Sequence, residues 1–246
     1  MAITSINIAI KNNPIKGFIE FDSQKKTGAS YRISYILISR KIHGEGEYDR
    51  IYEKEITNVD QLTFYDFDIG VKSGTSYDYY VELTDGNSIG YTVIEFGEIL
   101  NVGCWFDGLF IGNYEKQYMA PLNCSTSVIR NTQANYVMTL AGRTPYRVSN
   151  TSANYTTGQS SGLFMPLDNN KQPVKIDTKE YTREVVDFLV DGTEKVLKTS
   201  DGEAWLVSID PGVEIPSSDY FTGFNIISFN WTEIGDIPAI RQVTTT

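Results

Sequence analysis

The chain predicts a mainly β fold in two parts: a β-sandwich, then an antiparallel sheet domain crossed by one helix. Three observations predict it. The first 97 residues alternate with period two between turn signals, the pattern becomes aromatic and glycine-punctuated from residue 98, and one stretch repeats at helical spacing.

In the first part, "YRISYILISR" places Tyr31, Ile33, Tyr35 and Leu37 on one face of a strand. "TSYDYYVEL" sets Tyr77, Tyr79, Val81 and Leu83 against Asp78, Tyr80 and Glu82 on the other face. Between them, "HGEGEYDR" reads as a hairpin tip and "EKEIT" and "QLTFYDFDI" as further strands, while "TDGNSIG" turns at Asp85-Gly86. About seven short strands in about 95 residues suit a small sandwich. The expected domains are 1–97 and 98–246.

In the second part, "NTQANYVMTLAGRTPYRVSN" alternates around Tyr136, Met138 and Leu140 and breaks at Gly142. The stretch "GRTPYRVSNTSANYTTGQSSGLFM" carries no charge except Arg143 and Arg147, so it reads as surface-building. It is expected to run strand, turn, strand, with Gly142, Gly158 and Gly162 at the bends. "DTKEYTREVVDFLVDG" predicts a helix near 178–190. Asp177 and Glu180 stand at capping-box spacing, Tyr181, Val185, Phe188 and Leu189 share a face, and Gly192 follows the end. "KVLKTSDGEAWLVSI" is a hairpin turning at Asp201-Gly202. "GFNIISFNWTEI" is a strand with Ile227, Phe229 and Trp231 opposite Ser228 and Asn230. Residues 98–130 read either as an arm reaching a neighbour or as bulged core strands.

Composition excludes several functions. With 41% hydrophobic residues the chain can build cores. It lacks the run of roughly 20 apolar residues needed to span a bilayer, so the expectation is a soluble protein made in the cytosol with no membrane insertion. The net charge of −10 divides as −4 over residues 1–97 and −6 over the rest, without the clustered Lys and Arg that phosphate contacts need. Cys104 and Cys124 read as buried free thiols. Nucleophile chemistry needs a base, yet the single His43 sits in the expected hairpin tip. Asp66 and Asp68 share a strand face, which suits a glycosidase or calcium site only where other groups converge. Phosphate loops, dinucleotide fingerprints and zinc-protease helices are missing from the sequence. The expectation is a non-enzyme without cofactor or metal.

Residues "LTFYDFDIGVKSGTSYDYYVEL", with Asp66 ahead of the Tyr-rich strand, resemble a fibronectin type III domain, though an early-strand Trp is missing. "TLAGRTPYRVSNTSANYTTGQSSG", "YTREVVDFLVDGTEKVL", "GEAWLVSI" and "GFNIISFNWTEIGD" together resemble, over about 100 residues, the ring-forming hub domain of bacteriophage distal tail proteins. That family usually places the hub first, whereas here the sandwich precedes it, so a neighbouring tail or collar ring fits the order as well.

The resemblance implies a virion structural subunit of the tail or baseplate. It would associate with itself in a ring, as a hexamer or multiple, and with other tail proteins, while DNA only passes through a channel. Large, stiff aromatics and arginines make the interface candidates Arg143, Tyr146, Arg147, Tyr155, Tyr114 and Tyr118. The alternative from another class is an adhesion module that stacks cell-surface sugars on Trp105, Tyr118 or Trp205.

Overall fold

A computed structural model describes residues 3–29, 32–86, 90–138, 146–215, 225–237 and 241–242, with backbone alone at 133–136, 146–153 and 241–242. The fold is mainly β, with several antiparallel sheets and one α-helix among the described residues. The chain forms two compact units. Unit 1 takes Met1–Phe110 with Lys198–Ala204 and Ile237–Thr246, and unit 2 takes Ile111–Leu197 with Trp205–Asp236.

Unit 1 begins with β1 (Ile6–Asn13), β2 (Phe18–Lys25), β3 (Tyr35–Ile42) and β4 (Asp49–Glu55), followed by a 3-10 turn at Val59–Leu62. Then come β5 (Phe64–Asp68), β6 (Thr75–Thr84), β7 (Val93–Phe96) and β8 (Leu100–Cys104). One sheet has the order β1-β2-β5, and the other runs β4-β3-β6-β7 with β8 also on β6. The unit continues past residue 97 because β8 pairs with β6 from Thr75↔Cys104 to Tyr79↔Leu100, burying Cys104.

Tyr77, Tyr79, Val81 and Leu83 are buried as their alternation requires. On β3, Ile36, Leu37 and Ile38 are buried in succession, as in a strand covered on both faces, and the strand starts at Tyr35. Tyr31 lies outside the described residues. Phe21 packs edge-on against Tyr52 and Tyr79, with centroids 6.0 and 5.6 Å away.

Two buried polar groups pin this core. Asp68 accepts from Arg40 Nη1 at 2.7 and 2.9 Å, from the Tyr79 hydroxyl at 2.8 Å and from the Gly70 amide at 2.9 Å. Burial pulls the Arg40 pKa down, but the Asp68 charge and hydrogen bond more than reverse this. Lys198, fully buried, donates to the carbonyls of Gly17 and Ile69, and its ammonium lies 4.6 Å from the Phe110 centroid and 5.3 Å from that of Phe106. A side chain at Gly17, where φ is +69°, would meet the Phe110 ring at 3.0 Å, so glycine admits both the turn and the close approach.

Unit 2 is built on β9 (Leu109–Gly112), β10 (Gln117–Ala120), β11 (Leu122–Val137), β12 (Tyr146–Leu163), α1 (Thr178–Leu189), β13 (Lys195–Thr199), β14 (Ala204–Ile209) and β15 (Ile226–Gly235). Its sheet order is β10-β9-β13-β14-β15-β12-β11. The chain passes between the units within β9, β13 and β14 and again after Asp236, and β16 (Arg241–Gln242) joins β4 in parallel in unit 1.

Asp177 caps α1, its carboxylate accepting from the amides of Lys179 and Glu180. Thr182, Val185, Phe188 and Leu189 are buried, and Phe188 and Tyr181 meet Tyr118 of β10 at centroid distances of 5.0 and 5.9 Å. The Asp201-Gly202 turn carries φ +96° at Gly202. Ile227, Phe229 and Trp231 are buried on one face of β15, each contributing roughly 1.5–3 kcal/mol or more of burial.

The quoted glycine-rich stretch departs from its expected form. Residues 146–163 are one continuous strand, where strand, turn and strand were expected, and Gly142 lies outside the described residues. Gly158 is a point of close approach: a Cβ there would come within 2.5 Å of both the Ser127 carbonyl and the Trp231 ring. Trp231 can therefore cross the strand and donate from Nε1 to Ser160 Oγ at 3.0 Å.

Candidate assembly interface

Strand β12 has two different neighbours along its length. From Thr157 to Leu163 it lies between β15 and β11, but from Tyr146 to Thr156 it pairs with β11 alone among the described residues. The outer part is a two-stranded ribbon of Arg130–Val137 against Tyr146–Thr156. Seven residue steps at about 3.3 Å carry it about 23 Å beyond the last β12–β15 pair. A register shift between Thr132/Asn154 and Gln133/Asn150 bends it near its base.

Among the described residues, strand β11, 16 residues long, is an edge of the sheet, with β12 as its neighbour. Its exposure is on both faces: Val128 and Ile129, adjacent and therefore opposite in direction, are 47% and 61% exposed. Leu122, Val137 and Met138 are also exposed. Its one charge is Arg130, whose Nε donates to Asn154 Oδ1 at 3.0 Å. A long edge strand with exposed Val128 and Ile129 and no acidic or lysine residues is a template for pairing with another chain.

The interface candidates from sequence fall in different places. Tyr155 is on the ribbon opposite Asn131, 43% exposed. Tyr146 and Arg147 occupy the far end of β12, in register with Val137 and Tyr136. Arg143 lies outside the described residues. Tyr114 is half-buried in the turn between β9 and β10, which Asn113 closes by accepting from the amides of Glu115 and Lys116. Tyr118 is buried; its hydroxyl donates to Glu184 at 2.7 Å, and burial first, then that bond, raise its pKa. It is a core residue that ties α1 to β10, so it offers no surface anchor.

Of the two readings of residues 98–130, the described strands over 100–120 match short core strands, and the projecting ribbon starts at Arg130.

The candidates for chemistry are absorbed by structure. The contacts that Asp68 accepts from Arg40, Gly70 and Tyr79 are internal, and Asp66 accepts from the Phe67 amide. His43 Nδ1 is 2.8 Å from Asp78 Oδ1, which also accepts from Asn101. Cys104 is buried and its thiol is raised to about 11 by burial, whereas Cys124, expected to be buried, is exposed on edge strand β11. Among the described residues there is no cluster of three or more metal-ligating side chains, and no helix is long and apolar enough to cross a membrane.

No family model and no curated protein matches the sequence. Among solved structures, one chain in the virion of a native gene transfer agent particle is similar at a TM-score of 0.31 and 17% identity, over 52% of this chain and 91% of that one. A chain in the tail of an empty gene transfer agent particle, computed with C6 symmetry, is similar at 0.27 and 16%, over 45% and 76%. Likeness at this level fixes neither a shared fold nor a role.

Proposed function

We propose that the protein is a structural subunit of a bacteriophage tail end, in the distal tail or baseplate or a neighbouring collar ring, and that it assembles by self-association. The observation that carries the reading is the 16-residue free edge of β11 with its projecting ribbon. Such a surface leaves backbone donors and acceptors unpaired over a length that a stable monomer would otherwise blunt with charge or proline. The resemblance of residues 136–234 to tail hub domains supports the same role. The β1-β2-β5 and β4-β3-β6 strand orders support reading unit 1 as a fibronectin type III-like module.

Contacts repeated head to tail around an axis close into a ring. Native mass spectrometry over a concentration series, with negative-stain images of the same sample, tests this. A closed ring of six or a multiple is expected, and a chain that stays monomeric both alone and with tail partners overturns it.

A second reading, glycan adhesion, has one observation in its favour. Trp105 is 62% exposed and lies against Gly103, where a Cβ would come within 2.9 Å of the indole nitrogen. An aromatic held on a glycine platform can stack a sugar ring. Binding on a glycan array that Trp105→Ala abolishes would support this reading, and a blank array at high protein concentration removes it.

A further inference from the structure

The charge of the ribbon identifies its partner surface. Residues 122–163, which hold β11 and β12, contain three arginines and no Asp, Glu or Lys, in a chain whose net charge is −10; everything outside this segment therefore sums to −13. The segment is thus both the free edge of the sheet and the one long cationic tract of an anionic protein. Pairing β11 with β11 of a second copy would offer Arg130 no carboxylate, since the strand carries no Asp or Glu. Pairing it with an acidic part of a second copy joins opposite charges.

One acidic groove also has the right apolar content. It lies where the β12–β15 pairing ends, is open, measures about 530 Å³, and is lined by Asn154, Tyr155 and Thr232 through Asp236. Tyr155 and Ile234 give it exposed apolar walls, at 43% and 44%, and Glu233 and Asp236 supply the carboxylates. Glu233 is held by the Thr156 amide at 2.7 Å, whereas Asp236 is exposed at the groove's end. The β11 edge offers the complement: exposed Val128 and Ile129 adjoin Arg130 at the base of the ribbon, and Val137 and Met138 lie exposed at its far end.

Building on the self-association proposed above, we infer that the β11–β12 ribbon of one copy docks in the Asn154–Asp236 groove of the next copy, with Arg130 facing Glu233 and Asp236. The contact is heterologous: each copy gives a ribbon and receives one, so the assembly propagates in one direction until it closes. Electrostatic pairing sets direction and register, and the apolar edge supplies the buried area.

The test uses the full chain and charge reversals at two exposed positions, with unchanged thermal melts as the folding control. Arg130→Glu and Asp236→Lys should each weaken self-association at least tenfold in sedimentation velocity and native mass spectrometry. The R130E/D236K double variant should recover it. The decisive sample is a mixture of the two single variants. Each ribbon there meets an opposite charge only in the groove of the other variant, so the mixture should recover assembly with the two variants alternating in equal numbers.

A wild-type chain that assembles, with D236K assembling equally well, overturns the docking while leaving the assembly reading intact. A wild-type chain that never assembles overturns both. Duplex DNA that competes with assembly and binds D236K as tightly as wild type would assign the ribbon to nucleic acid and overturn the docking.

Discussion

Lys198 is where burial and charge conflict most directly. Its ammonium is surrounded by two carbonyls and two aromatic faces, and desolvation lowers its pKa from 10.5 to about 8. Above about pH 8 the folded chain releases a proton that the unfolded chain keeps until about 10.4, so stability rises with pH in that window, at up to about 1.4 kcal/mol per unit. Cys104 acts oppositely: its thiol is raised from 9.0 to about 11, so above pH 9 the unfolded chain loses its proton first and stability falls. Denaturation from pH 7 to 9.5 should therefore show a rise that flattens near pH 9, and Lys198→Met should remove the rise. Asp68→Asn should cost about 1–3 kcal/mol in the same assay, because the partly buried Arg40 charge would lose its carboxylate. Gly158→Ala, which sets a methyl 2.5 Å from the Trp231 ring, should cost about 1–3 kcal/mol and shows in the melting temperature.

At the scale of elements, the helix and the ribbon show opposite relations between sequence and structure. Helix α1 is set by local signals: an Asp cap, an apolar face of Val185, Phe188 and Leu189, and Gly192 at φ +78° beyond its end. Asp177→Ala should lower stability by about 1 kcal/mol in urea, since two amides lose their acceptor. The ribbon has no comparable local signal. Its alternation around Tyr136 and Met138 predicted a strand, but whether 146–163 turned midway depended on Trp231 of a distant strand crossing Gly158.

For the molecule as a whole, the distribution of charge matters more than its sum. A −10 protein with an acid-free cationic segment should associate by a route that salt screens, because the Debye length shrinks from about 10 Å at 0.1 M to about 3 Å at 1 M. The association constant measured by sedimentation should fall several-fold between those salt concentrations, then level off where burial of the apolar edge dominates. An association that strengthens steadily with salt would point to a contact made by apolar surface alone.

The two β-rich parts, the face of Tyr77, Tyr79, Val81 and Leu83, the capped helix and the apolar face of β15 were legible in the sequence. Each depends on neighbours a few residues apart, where periodicity and turn chemistry act. Long-range pairing decided what the sequence could not show. Strand β8 joined the sandwich because β6 offered it an edge, Tyr118 was drawn from the surface into the core by Glu184 and Phe188, and Lys198 was placed among carbonyls of a distant segment. The free edge of β11 belongs to the same class, since a strand becomes an edge only through the absence of a neighbour among the described residues, and sheet order is a property of the folded chain.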